Sequence, residues 1–148
     1  MRRIDARTGK LSSADTTLYA LAARPTANGG GAIEAPAILH RAGYYYLFVS
    51  FDFCCRGLKS TYKIVVGRAK NITGQYLDKS GRRMTEGGGD ILLAGDERRS
   101  GTGGQTVFRE RDTDWLVYHF YDALDNGKSK LAIGQIGTTR DGWISLLK

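Results

Sequence analysis

Short apolar runs recur along the chain, and turn residues close each of them. Two runs, residues 44–50 and 115–121, are long and rich in aromatic and β-branched side chains, which favour β-strands. Each follows a shorter apolar run and a polar turn, and each ends in an acidic loop. No segment carries a convincing stripe of apolar side chains at helical spacing. The sequence therefore predicts an all-β chain built from two similar units.

Each unit contains about four predicted strands. They span residues 33–40, 44–50, 62–67 and 91–94 in the first unit, and 105–108, 115–121, 131–136 and 143–147 in the second. Residues 16–23 fit either one helical turn or a further strand. Repeated antiparallel units of this size are typical of β-propeller blades. A β-sandwich is the competing all-β architecture, since it contains similar numbers of strands.

The formal net charge of +7 raises the question of an acidic partner. The basic residues are scattered as isolated pairs at positions 2–3, 82–83 and 98–99, which favours a solvated surface over a nucleic-acid interface. No run approaches the roughly 20 apolar residues of a membrane span. The first residues are not followed by the apolar stretch of a secretory signal. We therefore predict neither a nucleic-acid partner nor a membrane partner.

The only two cysteines, Cys54 and Cys55, are adjacent. A disulfide framework and a zinc site both need separated cysteines. A bond between neighbouring cysteines would also strain the peptide that joins them. We therefore expect two reduced, packed thiols.

Glu34 is the residue that most suggests chemistry. It lies in the segment Gly-Gly-Gly-Ala-Ile-Glu-Ala-Pro at the start of a predicted strand, where small neighbours leave room for a ligand. A carboxyl group in apolar surroundings tends to keep its proton, because desolvation disfavours the charged form, and a general acid must be protonated. From the pattern alone, a solvent-exposed glutamate at a strand edge is an equally good interpretation.

Several segments together resemble the arabinanases of glycoside hydrolase family 43. Ile-Glu-Ala-Pro at 33–36 and Gly-Tyr-Tyr-Tyr-Leu-Phe-Val-Ser-Phe-Asp-Phe-Cys-Cys-Arg-Gly at 43–57 are similar to the fourth blade of those enzymes, and 60–68 and 72–74 continue the similarity. Leu-Val-Tyr-His-Phe-Tyr-Asp at 116–122 and Asp-Gly-Trp at 141–143 resemble the fifth blade. The resemblance covers nearly the whole chain and is specific through the combination of segments.

The resemblance implies a five-bladed β-propeller of which this chain holds about two blades. Residues 1–30 would end the preceding blade and form a linker, residues 31–95 would form the blade with Glu34, and residues 96–148 would form the last blade. Since two blades cannot close a ring, apolar blade faces and strand edges would stay open. We therefore expect a homo-oligomer, a dimer or trimer, that completes a ring or a sandwich-like core.

The implied activity is hydrolysis of α-1,5-linked arabinan with inversion. The family uses a Glu as general acid, which the resemblance maps onto Glu34, one Asp as general base and a second Asp that orients the acid. Only Asp5 and Asp15 precede Glu34, and neither matches a catalytic motif of the family. The sequence therefore predicts an arabinanase-like fragment with an incomplete catalytic set, weakly active or inactive alone. The alternative is a non-catalytic carbohydrate-binding or assembly module.

The resemblance also bears on the other site residues. Gly104 stands where the family carries a histidine that helps hold a metal ion in the channel, so we predict no metal and no other cofactor. Arg56, in a loop that faces the channel by resemblance, and Phe53 are candidate substrate-binding residues, and a surface arginine and a core aromatic are the competing interpretations. His119 is predicted to be a structural histidine bonded to backbone. Family members are usually secreted.

Overall fold

The computed structural model describes residues 1–25 and 31–147. Its strands are β1 (Ala32–Arg41), β2 (Tyr44–Asp52), β3 (Lys63–Ala69), β4 (Asp90–Leu93), β5 (Arg99–Glu110), β6 (Thr113–Asp122), β7 (Lys128–Thr138) and β8 (Ile144–Leu146). Single turns of 3-10 helix lie at Gly57–Lys59, Met84–Glu86 and Ala123–Asp125. None of the helices in these two ranges is long and apolar enough to cross a membrane.

The strands form two four-stranded antiparallel sheets, with the orders β1-β2-β3-β4 and β5-β6-β7-β8. In each sheet every strand pairs with the next one along the chain, which is the meander of a propeller blade. The prediction of an all-β chain with two four-stranded units is confirmed.

The strand β5 differs most from its predicted extent. We expected residues 105–108, whereas the strand runs from Arg99 to Glu110. Its pairing with β6 shifts register between Ser100 and Gly103 and again between Gly103 and Thr106. Glycine has low β propensity and often marks a bulge, so the first half of this strand has no apolar pattern to identify it.

Residues 16–23 adopt neither the helical turn nor the strand that their pattern allowed, and they have no regular secondary structure. Leu21 and Ala22 pack against the face of the first sheet that points away from the second. The amide of Ala23 donates to the carbonyl of Met84 at 2.9 Å, which fixes the segment on that sheet. Residues 26–30, the end of the predicted linker, lie outside the described residues.

The main core lies between the two sheets. Side chains alternate between the faces of a strand, and β2 is buried on both: Tyr46 and Phe48 face the second sheet, whereas Leu47 and Val49 face the opposite way. The inter-sheet core is completed by side chains that are apolar and buried, namely Leu39, Ile64, Val66, Leu116, Tyr118, Phe120, Ile136, Trp143 and Ile144.

An ion cluster links the two sheets at the far end of β1. The carboxylate of Asp114, on β6, is almost fully buried and accepts a hydrogen bond from Arg109 Nε at 2.7 Å. Arg41, at the end of β1, reaches the same carboxylate from the first sheet. Desolvation opposes ionisation of Asp114, but the two guanidinium groups outweigh it and hold its pKa below the usual range.

Candidate active site

Glu34 lies near the start of β1, at the end far from Arg41, and it is one of the residues that line a cavity of about 520 Å³. The other lining residues are mostly apolar and include Tyr19, Leu21, Ile33, Leu47 and Val49. The side chain is exposed, but it is held in place, because Glu34 Oε2 accepts a hydrogen bond from the hydroxyl of Tyr62 at 2.7 Å. One carboxylate oxygen is therefore fixed by the protein.

A β-bulge follows Glu34 directly. Glu34 pairs with Ser50, but the next pair is Ala37 with Phe48, so the register shifts between them. Ala35, inside the bulge, has a φ of 49°, which is unusual for a residue with a side chain. Bulges re-aim neighbouring side chains and are frequent beside active sites. This local distortion sets the direction in which the Glu34 side chain leaves the sheet.

The partner of Glu34, Tyr62, had no role in the sequence analysis beyond its place in a predicted strand. Only 3% of Tyr62 is exposed, and its hydroxyl meets Glu34 at 2.7 Å. Burial and then the hydrogen bond to Glu34 raise the pKa of Tyr62 to about 12, so the phenol stays a donor at neutral pH. A buried tyrosine hydroxyl usually finds a partner, but the sequence does not indicate which one.

Phe53 and Arg56 lie in the loop between β2 and β3, and both are exposed. The guanidinium carbon of Arg56 lies 4.1 Å from the centre of the Phe53 ring, which is a cation–π contact. The amide of Arg56 donates to the hydroxyl of Ser60 at 3.0 Å. The structure therefore brings these two predicted residues together as one exposed, partly preorganised pair, and it leaves their part in substrate binding a prediction.

The expectation of two reduced thiols is wrong, because Cys54 and Cys55 form a disulfide. Cys55 has a φ of 65°, so the backbone turns at the bond between the two residues. The amide of Cys55 donates to the hydroxyl of Tyr121, on β6, at 2.9 Å. The disulfide closes a small ring within the loop that carries Phe53 and Arg56, and the bond to Tyr121 fastens this loop to the second sheet.

The space that a side chain at position 104 would need is occupied by His119. A Cβ atom on Gly104, whose φ is 60°, would lie 2.7 Å from Nδ1 of His119. The imidazole of His119 packs between the rings of Tyr62 and Tyr121, with centroids at 5.9 Å and 5.6 Å. A histidine at position 104 could not fit unless His119 moved.

His119 itself differs from its prediction. We expected an imidazole bonded to backbone, but its Nε2 atom is buried and has no hydrogen-bond partner within the described residues. Burial lowers the pKa of His119, so the neutral ring predominates at neutral pH. Within residues 1–25 and 31–147, no group of three or more His, Cys, Asp or Glu side chains is arranged to hold a metal ion.

Asp52, the acidic residue of the neighbouring strand β2, is already paired with two cations. Its carboxylate accepts a hydrogen bond from Arg24 Nε at 2.9 Å and forms an ion pair with Lys63. Desolvation favours the neutral acid, but the two cations outweigh it and keep the pKa of Asp52 below its usual range. Asp52 therefore acts as a fixed anion that holds Arg24 of the N-terminal segment on the sheet.

Comparison with known proteins identifies the family of this chain. The family described as Glycosyl hydrolases family 43 matches residues 1–144. The chain is 54% identical over 129 residues to the extracellular endo-α-(1→5)-L-arabinanase 1 of Bacillus subtilis, which covers 87% of this chain and 38% of that protein. It is 47% identical over 115 residues to the extracellular exo-α-(1→5)-L-arabinofuranosidase ArbA of Cellvibrio japonicus, over 78% of this chain and 33% of that protein.

Solved structures show the same fold. The arabinanase of Cellvibrio cellulosa in complex with arabinohexaose superposes with a TM-score of 0.87 at 38% identity, over 97% of this chain and 47% of that one. The endo-arabinanase of Bacillus licheniformis gives 0.85 at 49% identity, again over 97% of this chain and 47% of that one. The chain thus spans less than half the length of these relatives.

The two four-stranded sheets and the fold shared with arabinanases place the chain in the class of the glycoside hydrolases. The chain belongs to glycosyl hydrolases family 43. Its two sheets are consistent with part of the propeller of that family.

Proposed function

We propose that this chain supplies the general-acid part of an active site that hydrolyses α-1,5-linked arabinan with inversion. The observation that carries the proposal is the placement of Glu34: an exposed side chain whose carboxylate is held by the hydroxyl of the buried Tyr62. The names of the similar proteins support arabinan as the substrate class. In this role Glu34 gives its proton to the glycosidic oxygen as the bond to the leaving sugar breaks.

An inverting glycosidase also needs a carboxylate that activates water from the opposite face of the sugar, about 6.5–9.5 Å from the acid. Asp52, the acidic residue closest to Glu34 along the paired strands, is held by Arg24 and Lys63 and is not available for this. We propose that the chain alone is therefore weakly active or inactive, and that a complete site needs carboxylates other than Glu34 and Asp52. Phe53 and Arg56 would bind sugar rings and hydroxyls at the edge of the active site.

Replacing Glu34 by Gln tests the proposal. We expect the wild type to bind arabino-oligosaccharides in calorimetry and to release reducing sugar slowly from debranched arabinan. Glu34→Gln should keep the affinity within about twofold and lower the residual rate by about 10²-fold or more, because loss of a general acid removes that much. Glu110→Gln, which changes the same charge at an exposed site, is the matched control.

If the wild type releases sugar measurably, an equal rate for Glu34→Gln would remove Glu34 from the mechanism. Binding without turnover in both proteins would favour the alternative, a non-catalytic carbohydrate-binding module. That alternative shares the exposed Phe53–Arg56 pair, which needs no catalytic carboxylate to contact a sugar.

We also propose that the chain associates with copies of itself, as a dimer or trimer. The face of the second sheet that points away from the first carries exposed apolar side chains, with Leu131 71% exposed, Ile133 60% and Phe108 42%. The pairing register places Val117 beside Ile133 on that face. Covering such a face with a second copy contributes roughly 25 cal/mol per Å² of apolar surface removed from water.

Size-exclusion chromatography with light scattering measures this association. We expect the wild type to elute as a dimer or trimer at micromolar concentration. Ile133→Lys should shift it towards the monomer, because a charge on the apolar face opposes burial. Thr138→Lys, on the same strand but on its other face, should leave the mass unchanged. A well-folded wild-type monomer at micromolar concentration would refute the proposal.

A further inference from the structure

We propose that Gln105, on the second sheet, is a positioning residue for Glu34: its side-chain amide holds the bulge from which the Glu34 carboxylate projects. The inference rests on the proposed function insofar as Glu34 is the general acid. The contact itself stands on the geometry of four residues.

The bulge needs an external contact to keep its shape. Ala35 at a φ of 49° is in the left-handed region, which is unfavourable for a residue with a Cβ. The bulge also leaves Ala35 without a paired residue in the ladder between β1 and β2. A strained residue that lies outside the regular strand pairing keeps one conformation only when its surroundings fix it.

Gln105 provides that contact from the neighbouring sheet. Its Nε2 donates to the carbonyl oxygen of Ala35 at 2.7 Å. Its Oε1 accepts from the hydroxyl of Ser50 at 2.6 Å, and the Ser50 hydroxyl accepts in turn from the amide of Gly104 at 3.0 Å. Gln105 is 4% exposed and Ser50 is fully buried, so water cannot replace these bonds without opening the interface.

Each polar atom of the Gln105 side-chain amide therefore makes one defined hydrogen bond. The amide nitrogen fixes the residue that follows Glu34 in sequence. The amide oxygen fixes Ser50, which pairs with Glu34 across the β1–β2 ladder. Together with Tyr62, which binds the carboxylate itself, these contacts define both the base and the tip of the Glu34 side chain.

A residue that only filled space here would need neither polar atom. A buried amide that leaves one polar group unpaired destabilises the fold, so an apolar side chain of similar size would fill the same space without that penalty. The amide at this position is accounted for by the two hydrogen bonds that it makes across the sheets.

Carbon-13 NMR of the Glu34 carboxyl at pH 7 tests the role without relying on activity. Tyr62→Phe removes the hydroxyl that donates directly to Glu34. The size and sign of the change in the Glu34 chemical shift in this variant are the reference for loss of that hydrogen bond. Gln105→Met, close in size but without hydrogen-bonding groups, should shift the Glu34 resonance in the same direction by at least half as much. Gln135→Met, on the exposed surface of β7, is the matched control and should leave it unchanged.

A folded Gln105→Met protein with the wild-type Glu34 resonance would overturn the proposal, since a purely structural glutamine lowers stability but does not alter that carboxylate. If Gln105→Met does not fold, Ser50→Ala carries the test, because it releases the amide oxygen of Gln105 and should give a smaller shift of the same sign. A shifted resonance combined with unchanged hydrolysis by Glu34→Gln would leave the positioning role standing and remove only the proposed function.

Discussion

Asp114→Asn lowers the free energy of unfolding at pH 7 by about 3 kcal/mol, because it leaves two guanidinium groups without their shared anion. Asp114 is 1% exposed and binds Arg109 from its own sheet and Arg41 from the other. The arginines are 51% and 30% exposed, so water compensates part of the loss, and the lower end of the usual range for a broken buried ion pair applies. Urea denaturation of both proteins measures the difference.

The difference between wild type and variant also depends on pH. Because the pKa of Asp114 is lower in the folded protein than in the unfolded chain, its stabilisation is fully present above the unfolded pKa of about 3.9 and is lost as the pH falls through the folded value. The two denaturation midpoints should therefore converge below about pH 4. Asp112→Asn, at an exposed position nearby, is the control and should change stability by less than about 0.5 kcal/mol. A similar loss in both variants would contradict the prediction.

Phe48→Ala should cost about 3–5 kcal/mol, as truncation of a buried phenylalanine leaves a cavity that the surrounding core fills only in part. Phe48 is completely buried in the core between the two sheets. Since a whole domain is stable by only about 5–15 kcal/mol, the variant should be partly unfolded at 37 °C. Thermal unfolding followed by circular dichroism measures this.

Phe53→Ala is the matched control for that experiment. The same side chain is removed, but Phe53 is 37% exposed and contacts mainly Arg56, so the expected cost is about 1 kcal/mol or less. If Phe48→Ala proved as stable as Phe53→Ala, the core would not lie where the structure places it.

The strands were predictable wherever their propensity was strong. Residues 44–50 and 115–121 gave β2 and β6 because aromatic and β-branched side chains leave few other conformations open. The first half of β5 was not predictable, since Gly101, Gly103 and Gly104 carry no periodic signal. Residues 16–23 were ambiguous because tertiary contacts, not local propensity, hold them.

The candidate site was predictable only in part, for a similar reason. Glu34 could be found because its segment resembles a family motif. Tyr62 and Gln105 could not, because they reach the Glu34 region from other strands and their partners are distant in sequence. The bond between Cys54 and Cys55 was missed because we took strain in the joining peptide as prohibitive, whereas a left-handed φ at Cys55 accommodates the turn.

Noncovalent contacts join the two sheets at both ends of β1. At one end Gln105 donates to the carbonyl of Ala35, and at the other Arg41 forms an ion pair with Asp114. Two such attachments along one strand oppose sliding or rotation of one sheet past the other. When segments are recombined between relatives, we therefore expect residues 32–146 to be exchanged best as a single unit. A crossover between the sheets would separate both sets of partners at once, whereas a crossover before β1 would keep them together.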